Sequence, residues 1–149
     1  MSRIDFYMLA TGDLRSRWVM ACRLVEKAYT QGHRVYLHAQ SEADSLALND
    51  LLWTFRQGSF VPHELAAQKP VHDAVTPVLI GHPALPVVSA DVLINLAEEL
   101  PTGYDHYPRV LELIDQTETV KQQGRTRYRA YKAAGHELHN RDLSQQDAD

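Results

Sequence analysis

The apolar positions of this chain change period several times. Arg3 to Ala10 (RIDFYMLA) is rich in strand-favouring residues, and Thr11-Gly12-Asp13 then breaks the run. From Leu14 the apolar positions Leu14, Trp18, Ala21/Cys22, Val25 and Ala28/Tyr29 recur at three- and four-residue spacing. That spacing predicts an amphipathic helix, with Asp13 as N-cap and Gly32 as its stop. Arg34 to His38 (RVYLH) predicts a short strand. Ser41, followed by Asp44 in the capping-box position, predicts a second helix to about Phe55 with Ala47/Leu48, Leu51/Leu52 and Phe55 facing inward.

A β-α-β-α opening predicts an α/β single domain, with a mostly parallel central sheet flanked by helices. Further strands are expected at 77–80, 92–96 and 107–114, and Thr117 or Thr119 is expected to cap a last helix. Residues 1–140 are expected to form the domain and 141–149 a polar, frayed tail. The first strand-to-helix turn, ATGDLRSRW, has one glycine and no lysine, so it matches neither GxGxxG nor GxxxxGK[ST]. Without those glycines the backbone cannot approach a pyrophosphate, and the predicted fold is Rossmann-like without a nucleotide-binding loop.

Composition changes the picture only in places. At 149 residues, 44% apolar and 23% charged, the chain suits one folded domain. No apolar run approaches the roughly 20 residues that cross a bilayer, and no signal peptide is recognisable at the N-terminus. Cys22 is the single cysteine, which precludes an intrachain disulfide and suits a reducing cytoplasm. The eight histidines are scattered, and HELH at His136–His139, placed near a helix end, lacks the i, i+4 spacing of HExxH. No metal or other cofactor is expected. Neither Ser45 nor Ser59 lies in GxSxG, and Cys22 falls on the buried face of a helix. No catalytic site is expected, so the chain reads as a non-enzyme.

Charge is the informative quantity. Residues 120–136 contribute Lys121, Arg125, Arg127, Arg129 and Lys132 and no acid, a local +5. With a formal net charge of −4, the remainder carries −9. Such a body repels a long phosphate backbone but leaves room for a short anionic ligand. At about 100° per residue, Lys121, Arg125, Tyr128 and Lys132 share one stripe with Arg129 beside it. Val120, Gly124, Arg127, Ala130, Tyr131 and Ala134 lie opposite, and their small and aromatic members are expected to face the sheet. The cationic face has no Glu at i±4 to pair it. Its ligand is open at this point between single-stranded nucleic acid and an acidic peptide, while a membrane surface would need a longer apolar face. A second candidate surface is Trp53 with Phe60, Val61 and Pro62, aromatics beside a proline-fixed loop.

These residues bring out a resemblance. The opening FYML, GHRVYLHAQSEADSLALNDLLW, SFVPHEL, DVLINL and RTRYRAYKAAGHEL together resemble the chi-subunit family of the bacterial DNA polymerase III holoenzyme over nearly the whole chain. The resemblance implies a non-catalytic accessory protein of the clamp-loader assembly. It implies pairing with the psi subunit and binding of the acidic, phenylalanine-ending C-terminal tail of single-stranded DNA-binding protein, so that DNA contact is indirect. The tail site would fall on Lys121, Arg125, Tyr128 and Arg129, with Ile114 in the apolar pocket and Lys132 on the same stripe. Arg129 stands where the family commonly has Lys. The surface for psi, or for a repair helicase competing with psi, would fall on Trp53 and Phe60, with Val61 part of the same binding surface and Pro62 shaping the loop. The alternative is an α/β protein that binds single-stranded nucleic acid or nucleotide directly through the basic helix.

Overall fold

The computed structural model describes residues 2–66, 76–82 and 90–143. Seven strands form one sheet: β1 Arg3–Met8, β2 Val35–His38, β3 His63–Leu65, β4 Val78–Gly81, β5 Val92–Asn95, β6 Arg109–Ile114 and β7 Glu137–Asp142. Their order is β3-β4-β2-β5-β6-β1-β7, and every neighbouring pair is parallel. Three helices flank it, α1 Leu14–Thr30, α2 Glu42–Thr54 and α3 Glu118–Ala133. This is the expected α/β fold. Among the described residues no helix is long and apolar enough to cross a membrane.

Side-chain alternation along the strands divides the interior in two. Leu37, Ile94, Leu111 and Leu113 pack on one face against Cys22 and Val25 of α1 and Leu48 and Leu52 of α2. Ile4, Phe6, Leu93, Val110 and Ile114 pack on the other against Tyr131, with Tyr128 and Val120 alongside. Parallel strands covered on both faces read as continuous apolar runs, as VLIN and VLIG do.

The helix signals act as the sequence suggests. Asp13 accepts from the Ser16 N–H at 2.9 Å, and Ser41 accepts from the Asp44 N–H at 3.2 Å. That backbone hydrogen bond lowers the Asp13 carboxyl below its ordinary range. The N-terminus of α1 therefore holds its own carboxylate where a phosphate-binding loop would hold a ligand.

Several expectations shift. Ala47 is exposed and Ser45 is buried, because the inner face of α2 is centred on Ser45, Leu48 and Leu52. Leu14 is exposed because the inner face of α1 runs through Arg17, Ala21, Cys22, Val25 and Ala28. Arg17 is buried and donates to the Leu113 carbonyl at 2.9 Å. HELH lies in β7, not at a helix end, and the strand runs to Asp142, two residues into the expected tail. Residues 144–149 of that tail, and 68–75 and 83–89 of the proline-rich stretch, lie outside the described residues.

Candidate functional site

Helix α3 begins at Thr117, whose hydroxyl donates to the Gly12 carbonyl at 3.1 Å while its N–H donates to Asp115 at 2.8 Å. Glu118 in the first turn and Lys132 in the last match the helix dipole. Gly135, at φ +84°, stops the helix, and the His136 N–H reaches back to the Tyr131 carbonyl at 3.2 Å.

Two contacts fix this helix on the sheet. The first is polar and buried. One oxygen of Glu112 on β6 accepts from Arg127 Nε at 3.0 Å, Tyr131 Oη at 2.7 Å and Asn95 Nδ2 at 3.0 Å. Arg127 Nη1 also donates to the Glu98 carbonyl at 2.6 Å. Burial, with the Glu112 carboxylate beside it, raises the Tyr131 hydroxyl well above the ordinary phenol range, so it remains a donor. Arg127 is thus a structural residue. The cations left exposed on the helix are Lys121, Arg125, Arg129 and Lys132, with Lys121 only half-exposed.

The second contact is steric. Gly124 lies directly over Ile114, where any Cβ would come within 2.5 Å of Ile114 Cδ1. Beside this contact lies a cavity of about 330 Å³ between α3 and the sheet. Its apolar lining comes from Phe6 and Met8 of β1, Ile114 of β6, and Tyr128. The Tyr128 ring meets Phe6 edge to face with centroids 5.1 Å apart. Lys121, Arg125 and Arg129 supply the cationic lining, and Asn140 of β7 a polar one. Among the described residues Arg125 reaches only the exposed Glu118, at 3.9 Å, a seven-residue separation that a search at i±4 does not cover. Such a pair contributes little and leaves the guanidinium open to a better carboxylate.

The structure therefore places Lys121, Arg125, Tyr128, Arg129 and Ile114 around one cavity. Lys132 is exposed in the last turn and does not line it. Phe6, Met8 and Asn140 were invisible to sequence spacing, since they reach the cavity from strands distant in the chain. The chemistry on offer is capture of a small apolar or aromatic group attached to an anion. The cavity is at the small end of ligand pockets, which span roughly 300–1,000 Å³.

On the far side of the sheet, Trp53 is 49% and Phe60 74% exposed, their rings 6.0 Å apart and edge to face. Val61 is buried in the core, so its side chain does not belong to that surface, while Pro62 is half-buried. The loop is held by His63, whose Nδ1 lies 2.7 Å from the Val61 carbonyl and whose Nε2 lies 3.1 Å from the Asn49 carbonyl. The His63 ring also supports Trp53 at 4.4 Å, a role the sequence did not reveal. Among the described residues no group of three or more His, Cys, Asp or Glu side chains is arranged to hold a metal ion.

A family model described as DNA polymerase III chi subunit, HolC, matches residues 1–139. The DNA polymerase III subunit chi of Pseudomonas aeruginosa PAO1 is 39% identical over 143 residues, covering 96% of this chain and 98% of that protein. The subunit chi of Escherichia coli K12 is 29% identical over 143 residues, covering 93% and 96%. That of Haemophilus influenzae Rd is 27% identical over 135 residues, covering 90% and 92%.

Proposed function

The chain belongs to the chi-subunit family of DNA polymerase III, a replication accessory subunit, and on that premise we propose that it is a non-catalytic adaptor. It bridges the psi subunit of the clamp loader to the acidic C-terminal tail of single-stranded DNA-binding protein, within the cytoplasmic replisome at the nucleoid. The observation that carries this reading is the convergence of three cations and an aromatic on one small apolar cavity.

In this reading the terminal carboxylate of the tail sits against Arg125, with Lys121 beside it, as a charge-assisted pair. The terminal phenylalanine buries between Tyr128, Ile114 and the β1 side chains Phe6 and Met8. Arg129 attracts the acids upstream in the tail. The aromatic contact is short-ranged and the ionic one long-ranged, so added salt slows association before it abolishes binding. Trp53 and Phe60, on a separate surface, anchor psi or a repair helicase that competes with it, so both partners are held at once.

The test is a pair of titrations, with a short acidic peptide ending in Pro-Phe and with a single-stranded oligonucleotide. Peptide binding that Arg125→Ala removes, without oligonucleotide binding, supports the adaptor. Oligonucleotide binding without peptide binding means that the basic helix contacts nucleic acid directly.

A further inference from the structure

Side chains alternate along a strand, and Phe6 and Met8 of β1 line the cavity under α3, so Arg3, Asp5 and Tyr7 point to the other face of the sheet. On β7, Asn140 lines the cavity, so Glu137, His139 and Arg141 point away with them. Among the described residues of that far face, α1 packs mainly over β2 and β6 and α2 over β3 and β4. The β1–β7 end of the sheet is covered by side chains instead.

Three of them are arginines from three strands. Arg109 of β6 donates to Asp5 at 2.7 Å through Nε and to the Tyr7 hydroxyl at 3.3 Å through Nη2. Arg3 donates to the same carboxylate at 3.4 Å, a long bond, and Arg141 stands 3.8 Å from it, beyond hydrogen-bond reach. The Arg141 guanidinium lies over the Tyr7 ring, 5.7 Å from its centroid. Asp5 is fully buried beneath them. Glu137, the other acid on this face, is engaged by His139. One carboxylate thus serves three guanidiniums, and two of these, on the exposed Arg3 and Arg141, hold it weakly.

We infer that this arginine face binds acidic residues farther upstream in the same peptide tail whose last residue occupies the α3 cavity, an inference that rests on the reading of that cavity proposed above. Position supplies the link. Strand β7 is an edge of the sheet, and Asn140 at the cavity and Arg141 on the arginine face are consecutive residues. A segment leaving the cavity past Asn140 rounds one strand to reach Arg141. Four extended residues span about 13 Å, enough to turn that edge. Acids near the terminus stay with Arg129, and those about four or more residues upstream meet Arg141 and Arg3. Planar guanidiniums with free N–H groups suit carboxylates. The face suits a nucleic-acid strand less well, because Tyr7 is buried under Arg141 and offers no open ring for base stacking.

The experiment titrates the full chain with two peptides that share one acidic Pro-Phe ending, the longer carrying further acidic residues upstream. It compares the wild type with Arg3→Gln/Arg141→Gln, which keeps the Arg109–Asp5 pair, and with Arg141→Gln alone, which removes only the 3.8 Å contact to Asp5 and the Tyr7 cover. Melting temperatures identify any variant that misfolds. The longer peptide is expected to bind the wild type roughly three- to tenfold more tightly, the effect of two added surface ion pairs, and high salt is expected to erase that gain. In the double variant the gain is expected to vanish, and in Arg141→Gln to shrink, while both keep wild-type affinity for the shorter peptide. No gain in the wild type, or the same gain in all three proteins, overturns the inference and leaves the cavity reading intact. Failure of the shorter peptide to bind the wild type overturns both. A single-stranded oligonucleotide that the wild type binds and the double variant does not assigns the face to nucleic acid and overturns the inference alone.

Discussion

Gly124 on α3 and Ile114 on β6 are in such close contact that a methyl group on the glycine would stand 2.5 Å from Ile114 Cδ1. The atom it meets is the end of a flexible side chain, so Gly124→Ala moves Ile114 rather than the helix. The helix gains about 1 kcal/mol of propensity, and the displaced side chain costs about 1–3 kcal/mol. Stability is therefore expected to change by no more than about 2 kcal/mol. The displaced methyl enters the cavity, and affinity for the acidic peptide is expected to fall by roughly tenfold, one aromatic contact's worth. A thermal melt and a peptide titration on the same variant separate the two effects. Unchanged peptide affinity would mean that the cavity is not the seat.

Arg125 and Arg127 are neighbours on the helix with opposite roles. Arg127 pairs with Glu112, and both are buried. Arg127→Met leaves that carboxylate unpaired and is expected to cost about 3–5 kcal/mol, lowering the melting temperature by roughly 10 °C. Arg125 is 61% exposed, and Arg125→Ala is expected to change stability by less than about 0.5 kcal/mol. Equal melting temperatures for the two variants would refute the assignment of roles.

Burial, with His82 as a secondary cause, lowers the His38 imidazole from 6.5 to about 4. Its folded value lies below its unfolded value, so the unfolded chain binds the extra proton first. The sign follows: His38 leaves stability intact above pH 6.5 and removes it as pH falls towards 4. The shift corresponds to a loss on the order of 3 kcal/mol. Urea midpoints measured between pH 4 and 7 should fall more steeply for the wild type than for His38→Gln. Parallel curves would place the acid sensitivity elsewhere.

The helices and most strands were legible because period and capping are local properties. Asp13, Ser41 and Gly32 mark ends of α1 and α2 from the sequence alone. Strand β7 was not legible: ELHNRD is polar because the strand lies at the sheet edge with most of its residues exposed. The cationic half of the cavity follows from one helix and its spacing. Its apolar half depends on the parallel register that sets Met8 beside Ile114 and beside Asp142, a tertiary fact that no local pattern encodes. Arg127 falls opposite the cationic stripe by spacing, but only the facing Glu112 explains why it is buried. Lys132 shares the stripe by angle yet misses the cavity, because its turn lies past the cavity's end.

The central claim is that the cavity under α3 holds a peptide's terminal aromatic residue through its free carboxylate. Its most direct test compares the acidic Pro-Phe peptide with the same peptide amidated at its C-terminus, against wild type and Arg125→Ala. Removing the charge should weaken wild-type binding by roughly tenfold or more, the loss of one charge-assisted pair. The variant should bind both peptides equally weakly. Equal affinity of the wild type for the two peptides would contradict the account.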